Sequence, residues 1–231
     1  MKIHLHIIYI VVAVIAMAAI PLKSFPLWKS PNVVEQDREE LLQTGEYAIS
    51  PYDKIFRRVA RRHNIDWILM SAMASGESHF NSDAVSPRGA VGIMQVMPHI
   101  AKEWDVERDE LFDPAINIDV ACRLYKSMQR MLRLPKDVSE PDRMALTIAS
   151  YNCGASRVID ARNLAEYYDE PTTEWSTVSE YLQLLSDEEY YNHEAVAGGK
   201  FKEGHITVAY TNRVLDRYDK FKRQVDDRAL P

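Results

Sequence analysis

One segment of the chain concentrates the residues able to do chemistry. From Gly76 to Pro98 it reads GESHFNSDAVSPRGAVGIMQVMP, with one carboxylate, Glu77, at the end of an apolar run and a polar, glycine-punctuated loop behind it. Burial raises a carboxyl pKa because the charged form loses its hydration, and the negative end of a helix dipole acts in the same direction. An acid held protonated near neutrality can donate its proton to a glycosidic oxygen. Hydroxyl, thioether and amide groups follow at Ser86, Met94 and Gln95, the groups a sugar-binding groove needs. The plainer reading is a Glu facing solvent at a helix end, the commoner fate of this residue type.

The elements around this segment read as helices. Ser50 as N-cap, Pro51 at the first position and Asp53 in the first turn start one, with Ile55, Phe56, Val59 and Ala60 inward and Arg57, Arg58, Arg61 and Arg62 outward. Asp66 caps the next, Trp67 to Ala74, which is apolar nearly all round and therefore central, with Glu77 at its carboxyl end. A short helix is expected from Pro98 to Trp104. Another begins at Asp113-Pro114, carries Ile118, Ala121, Cys122, Tyr125, Met128 and Leu132 at helical spacing, and stops before Pro135. Pro141 starts a further apolar helix closed by Gly154. Shorter ones follow to about Asn163 and over Ser176–Leu185, and the last runs from about His205 to Lys222. No period-two segment is sustained. The fold class is mainly α, a lysozyme-like α+β arrangement in one helical domain. At most a short hairpin, Ala84–Val85 with Val91–Val96, follows the helix that bears Glu77.

The order of several blocks within residues 52–222 resembles the soluble lytic transglycosylase family, which shares its fold with goose-type lysozyme. The blocks are Glu77-Ser78-His79-Phe80, Ala84 through Pro98, Asp113-Pro114 with Asn117-Ile118, Ala149-Ser150-Tyr151-Asn152-Cys153-Gly154, and Tyr210-Thr211-Asn212-Arg213-Val214-Leu215. The tail from Leu185 through Tyr190-Tyr191 to Tyr210 looks most like the catalytic domain of the membrane-bound F branch of that family. That branch also carries an N-terminal solute-binding-protein-like domain, which a chain of this length is not expected to hold. Cys153 and Ser150 depart from the usual small apolar residue and alanine, both by little volume.

The resemblance implies that Glu77 is the catalytic acid and base. It also implies that Ser86, Met94, Gln95, Tyr151, Asn152 and Tyr210 contact substrate, namely the glycan strands of peptidoglycan. The expected reaction cleaves the N-acetylmuramic acid–N-acetylglucosamine β-1,4 bond and leaves 1,6-anhydro ends. A hydrolytic lysozyme on the same fold and a non-catalytic peptidoglycan-binding scaffold stay open beside it. Ser86 serves equally well as a turn serine beside Pro87. Gly89 and Gly92 let backbone approach a sugar or simply make turns.

Composition narrows the remaining classes. With 28 Lys and Arg against 34 Asp and Glu, the net charge of −6 offers no footprint for nucleic acid. Seven histidines show no H-x-x-x-H spacing, and the phosphate-loop and dinucleotide glycine patterns are missing, so no metal or other cofactor is expected. Cys122 and Cys153 make no C-x-x-C; they form a disulfide in an oxidising compartment or pack as two thiols. Lys2 precedes an apolar run from Ile7 to Ile20, shorter than the ~20 residues that span a bilayer. It reads as an export signal with Ala16-Met17-Ala18 as a cleavage pattern, or, lengthened to residues 5–20, as a retained membrane anchor. The expected organisation is therefore residues 1–20 as signal or anchor, 21–49 as linker, 50–222 as the catalytic domain and 223–231 as a tail. The destination is the periplasm or cell envelope.

Overall fold

Helix α1 (Asp53–Arg62) starts at Asp53, not at Pro51. The Asp53 carboxylate turns back to accept from the amides of Ala48 (2.8 Å), Ile49 (3.0 Å) and Ser50 (2.8 Å), so the residues ahead of it close a tight entry turn. The computed structural model describes residues 47–229; the apolar run at 1–20 and the linker up to residue 46 lie outside the described residues. Ile55, Phe56, Val59 and Ala60 form the buried face of α1, as their spacing predicts.

Asp66 caps α2 (Trp67–Glu77) by accepting from the Ile68 amide at 2.8 Å, and every residue from Ile68 to Ala74 is buried. Around it stand α3 (Pro98–Ala101), α4 (Pro114–Leu132), α5 (Glu140–Cys153), α6 (Ala155–Tyr167), α7 (Trp175–Leu184), the single turn α8 (Glu188–Tyr191) and α9 (Gly204–Ala229). Short 3₁₀ turns at Lys102–Trp104 and Arg108–Phe112 join α3 to α4. Among the described residues there is no strand. The expected hairpin is reduced to two isolated antiparallel bridges, Val85 with Val91 and Val91 with Val96.

Two apolar cores share the work. The first gathers Phe56, Met70, Met73, Ile93, Met94 and Ile118 from α1, α2, α4 and the loop after α2. The second gathers Leu146, Val158, Leu164, Leu182 and Leu185 from α5, α6, α7 and the turn that follows. Each such fully buried side chain contributes roughly 1.5–3 kcal/mol relative to exposure. Helices α5 and α9 face both cores: Ile148, Tyr210 and Val214 join the first, while Leu146, Ala149 and Val208 join or flank the second. Where those two helices meet α2, the side chains of Glu77, Tyr151 and Tyr210 converge.

Helices α6 and α9 overrun their expected ends for want of a stop signal, and α7 is shifted by one residue. Helix α6 continues to Tyr167 because Leu164 and Ala165 extend its buried face, and it ends only where Asp169 adopts φ 56°. Helix α7 begins at Trp175 and ends at Leu184. Helix α9 passes Lys222 and runs on to Ala229, through most of the segment read as a tail. No Gly or Pro intervenes there, and the side chains of Gln224 and Arg228 donate to the carbonyls of Ala48 and Tyr47. Cys122 is buried in the first core and Cys153 is half-buried beside the second; both are free thiols.

Candidate active site

Glu77 is the last residue of α2, and the chain reverses immediately beyond it. His79 and Phe80 take φ 55° and 65°, two successive left-handed residues that are not glycine. Such residues cost roughly 1–2 kcal/mol each. The Phe80 ring offsets this by packing edge-on against Phe56 at 6.3 Å and beside Phe221 at 6.4 Å. The reversal is thus anchored in the core, and Glu77 is left at the helix end facing α9.

There the Tyr210 hydroxyl donates to Glu77 Oε1 at 2.6 Å. Burial pushes the Glu77 carboxyl up and the Tyr210 bond pulls it partly back, leaving it at about 7 instead of 4.5. A group with that pKa carries a proton to neutral pH and can both give and take it. Among the described residues no second carboxylate acts on Glu77. Asp83, the nearest acid in sequence, belongs to an exposed turn in which its amide donates to Asn81 Oδ1 at 2.9 Å. The phenols of Tyr210 and Tyr151 are held well above their ordinary value, first by burial and then by the Glu77 charge, so both remain donors.

The loop opposite is held by one residue of α4. Asn117 is fully buried; its Nδ2 donates to the carbonyls of Val91 (2.9 Å) and Leu111 (2.8 Å), and its Oδ1 accepts from the Met94 amide (2.8 Å). Gly92, at φ 79°, must be glycine for a second reason. A β-carbon there would stand 2.4 Å from Asn117 Nδ2 and 2.5 Å from the Leu111 carbonyl oxygen. Ser78 adds a tie from the end of α2, donating to the Ile93 carbonyl at 2.8 Å.

The residues expected to contact substrate divide into groups. Tyr210 meets Glu77 directly. Tyr151, at the end of α5, donates to the Met94 carbonyl at 3.1 Å and feels the Glu77 charge. Asn152 is exposed, and its Oδ1 accepts from Thr207 at 2.8 Å, one turn of α9 before Tyr210. Met94, expected to line the groove, has a fully buried side chain in the first core, so it meets the groove through backbone only. Gln95 sits at φ 49° and turns its Nε2 back on the carbonyls of Gly92 (3.0 Å) and Ala84 (3.2 Å), which occupies both amide hydrogens. Ser86 Oγ accepts from the Ala90 amide at 3.0 Å and makes no bond to Glu77, which is the geometry of the turn serine. Gly89 sits in the same turn at φ 86°. Asn117 and Thr207 were not singled out from sequence. Asn117 stood inside a matched block, and only the fold brings its side chain to the loop 91–94.

The transglycosylase SLT domain family matches residues 54–174, just over half of the chain. Membrane-bound lytic murein transglycosylase F of Alteromonas mediterranea is 32% identical over 175 residues, which is 76% of this chain and 36% of that protein. The protein of the same name from Marinobacter nauticus is 30% identical over 178 residues, 77% of this chain and 34% of its own length. The chain therefore spans about a third of the length of these curated relatives. Among solved structures, the 70 kDa soluble lytic transglycosylase of Escherichia coli superposes with a TM-score of 0.54 at 20% identity. It covers 84% of this chain and 31% of its own, a likeness of fold.

Proposed function

From a chain that belongs to the transglycosylase SLT family, we propose a peptidoglycan lytic transglycosylase in which Glu77 alone serves as acid and base. The observation that carries the reading is the desolvated Glu77 carboxyl, near pKa 7, bonded to Tyr210 and free of any second carboxylate among the described residues. The substrate is the glycan strand of peptidoglycan, in keeping with the relatives, which are named as murein transglycosylases.

Protonated Glu77 gives its proton to the oxygen of the N-acetylmuramic acid–N-acetylglucosamine β-1,4 bond as the bond from the anomeric carbon to that oxygen breaks. The carboxylate so formed is stabilised by the Tyr210 hydroxyl. It then takes the proton from the muramyl 6-hydroxyl, whose oxygen bonds to the anomeric carbon. The product is a 1,6-anhydromuramyl end, and Glu77 is protonated again. Hydrolysis usually recruits a second carboxylate as nucleophile or as base for water. The muramyl hydroxyl needs none, because it belongs to the bound sugar and is already close. Tyr151 and Asn152 form the wall along which the strand lies, with Asn152 held from behind by the buried Thr207, and the loop held by Asn117 forms the other.

Export and membrane attachment belong to the same proposal. The relatives are named as membrane-bound, and the apolar run of residues 5–20 supplies a signal or anchor followed by a linker, residues 21–49. No helix of the described residues is long and apolar enough to cross a membrane, and the run lies outside them. The test is Glu77→Gln assayed on purified sacculi. Turnover should fall by at least ~10²–10⁴, the usual worth of one acid–base group, while binding to sacculi is kept. Retention of a substantial part of wild-type turnover would reject the assignment.

A further inference from the structure

The end of α2 remote from Glu77 faces another concavity. The turn from α1 to α2 encloses a surface pocket of about 290 Å³ lined by Arg57, Arg61, Asn64, Ile65, Asp66 and Trp67. At ~1.5 Å per residue along α2 it lies about 15 Å from the Glu77 carboxyl, so it is no part of the groove described above.

Its charged lining is predominantly positive, two arginines against one aspartate. Arg57 and Arg61 stand four residues apart and project from the same face of α1. The Arg57 guanidinium lies over the Trp67 ring with its Cζ 3.9 Å from the ring centroid. Stacking fixes the guanidinium plane and leaves its N–H edge for a ligand. Among the described residues neither Arg57 nor Arg61 forms an ion pair. The neighbouring basic side chains are committed elsewhere: Arg62, Arg123 and the His63 ring all bind the buried Asp119. Lys126 brings a third cation to the turn by donating to the Asn64 carbonyl at 3.2 Å. Against these stands Asp66, whose oxygens accept from the Ile68 amide at 2.8 Å and the Tyr218 hydroxyl at 2.7 Å.

Two unpaired fork-shaped donors, one of them pre-oriented, suit an oxyanion with several acceptor oxygens. Trp67 and Ile65 offer an apolar wall to whatever carries it. We propose that this pocket binds a phosphate-bearing ligand, a phosphate monoester or diester gripped by Arg57 and Arg61. The chain enters α1 directly from the linker that follows the apolar run, so an anionic lipid headgroup and a soluble phosphate are both within reach of this chemistry.

The experiment uses the full chain and the double variant Arg57→Gln/Arg61→Gln, which keeps a polar, hydrogen-bonding end group and removes the charge. In one arm inorganic phosphate is titrated at constant ionic strength and read through tryptophan fluorescence, to which Trp67 contributes. In the other, vesicles of phosphatidylglycerol or of phosphatidylcholine are floated with each protein. The double variant is first checked for native circular dichroism and for turnover of sacculi. Wild type should bind phosphate saturably, and the double variant on the order of tenfold more weakly or worse, the worth of a charged hydrogen bond. Wild type exceeding the double variant on phosphatidylglycerol alone identifies a lipid headgroup. Saturable phosphate binding with equal vesicle binding identifies a soluble ligand. No saturable response to phosphate together with no vesicle difference overturns the proposal, as does a folded double variant that binds both as well as wild type.

Discussion

Replacing Glu77 should make the protein more stable, and the gain should depend on pH in a way set by burial. In the folded chain the Glu77 carboxyl titrates at about 7 instead of 4.5, because burial disfavours its charge more than the Tyr210 bond favours it. Below pH 4.5 the group is protonated in both folded and unfolded chains and contributes nothing to the difference. As pH rises toward 7 the unfolded chain ionises freely while the folded one resists, so stability is lost across that window. The shift is about 2.5 pKa units, which at ~1.4 kcal/mol per unit is a swing of about 3 kcal/mol. Glu77→Gln keeps an oxygen able to accept from Tyr210 and has nothing to titrate. Urea unfolding of both proteins at steps from about pH 4 to about pH 8 gives the two stability curves. Their difference cancels the other titrating groups. Wild type should lose about 3 kcal/mol relative to the variant between those limits. A difference that is flat with pH would mean the carboxyl is solvated in the folded chain. A difference of the opposite sign would mean that Tyr210 outweighs burial.

Tyr210→Phe removes the one bond among the described residues that favours the Glu77 carboxylate, so the alkaline limb of the pH–rate profile should move to higher pH; a shift to lower pH would contradict the assignment. Asn117→Ala deletes three buried hydrogen bonds that hold the 91–94 loop and should cost roughly 3 kcal/mol or more in urea unfolding. Gly92→Ala should likewise lower the melting temperature sharply, since its β-carbon would meet Asn117 and the Leu111 carbonyl. Ending the chain at Lys222 should destabilise it by about 1 kcal/mol or more, because the ties from Gln224 and Arg228 to the entry segment are lost; unchanged stability would show the extension of α9 to be idle.

The parts of the fold written locally were legible in the sequence. Asp66 followed by an unbroken apolar run announces a capped central helix, and Asp113-Pro114 announces α4. Helix ends without Gly or Pro were not legible, and α6 and α9 overran their expected limits at Asn163 and Lys222 for that reason. The turns at Arg108–Phe112 and Glu188–Tyr191 are too short to show a period. At the site, Glu77 and Tyr210 each stood out, yet their contact joins residues 133 apart and could not be read from either neighbourhood. Met94 and Gln95 show the converse. Their types suit a groove, but the left-handed turn at Gln95 and the clamp from Asn117 direct one side chain into the core and the other onto backbone. Side-chain direction in a loop depends on backbone angles that residue type does not dictate.

Product mass tests the central claim most directly. Purified sacculi digested to completion by the full chain should release muropeptides ending in 1,6-anhydromuramic acid, each lighter by one water than the corresponding hydrolysis product, because no second carboxylate among the described residues acts on Glu77 to help activate water. A digest dominated by reducing-end muropeptides would contradict the single-carboxylate mechanism and make the chain a lysozyme on the same fold.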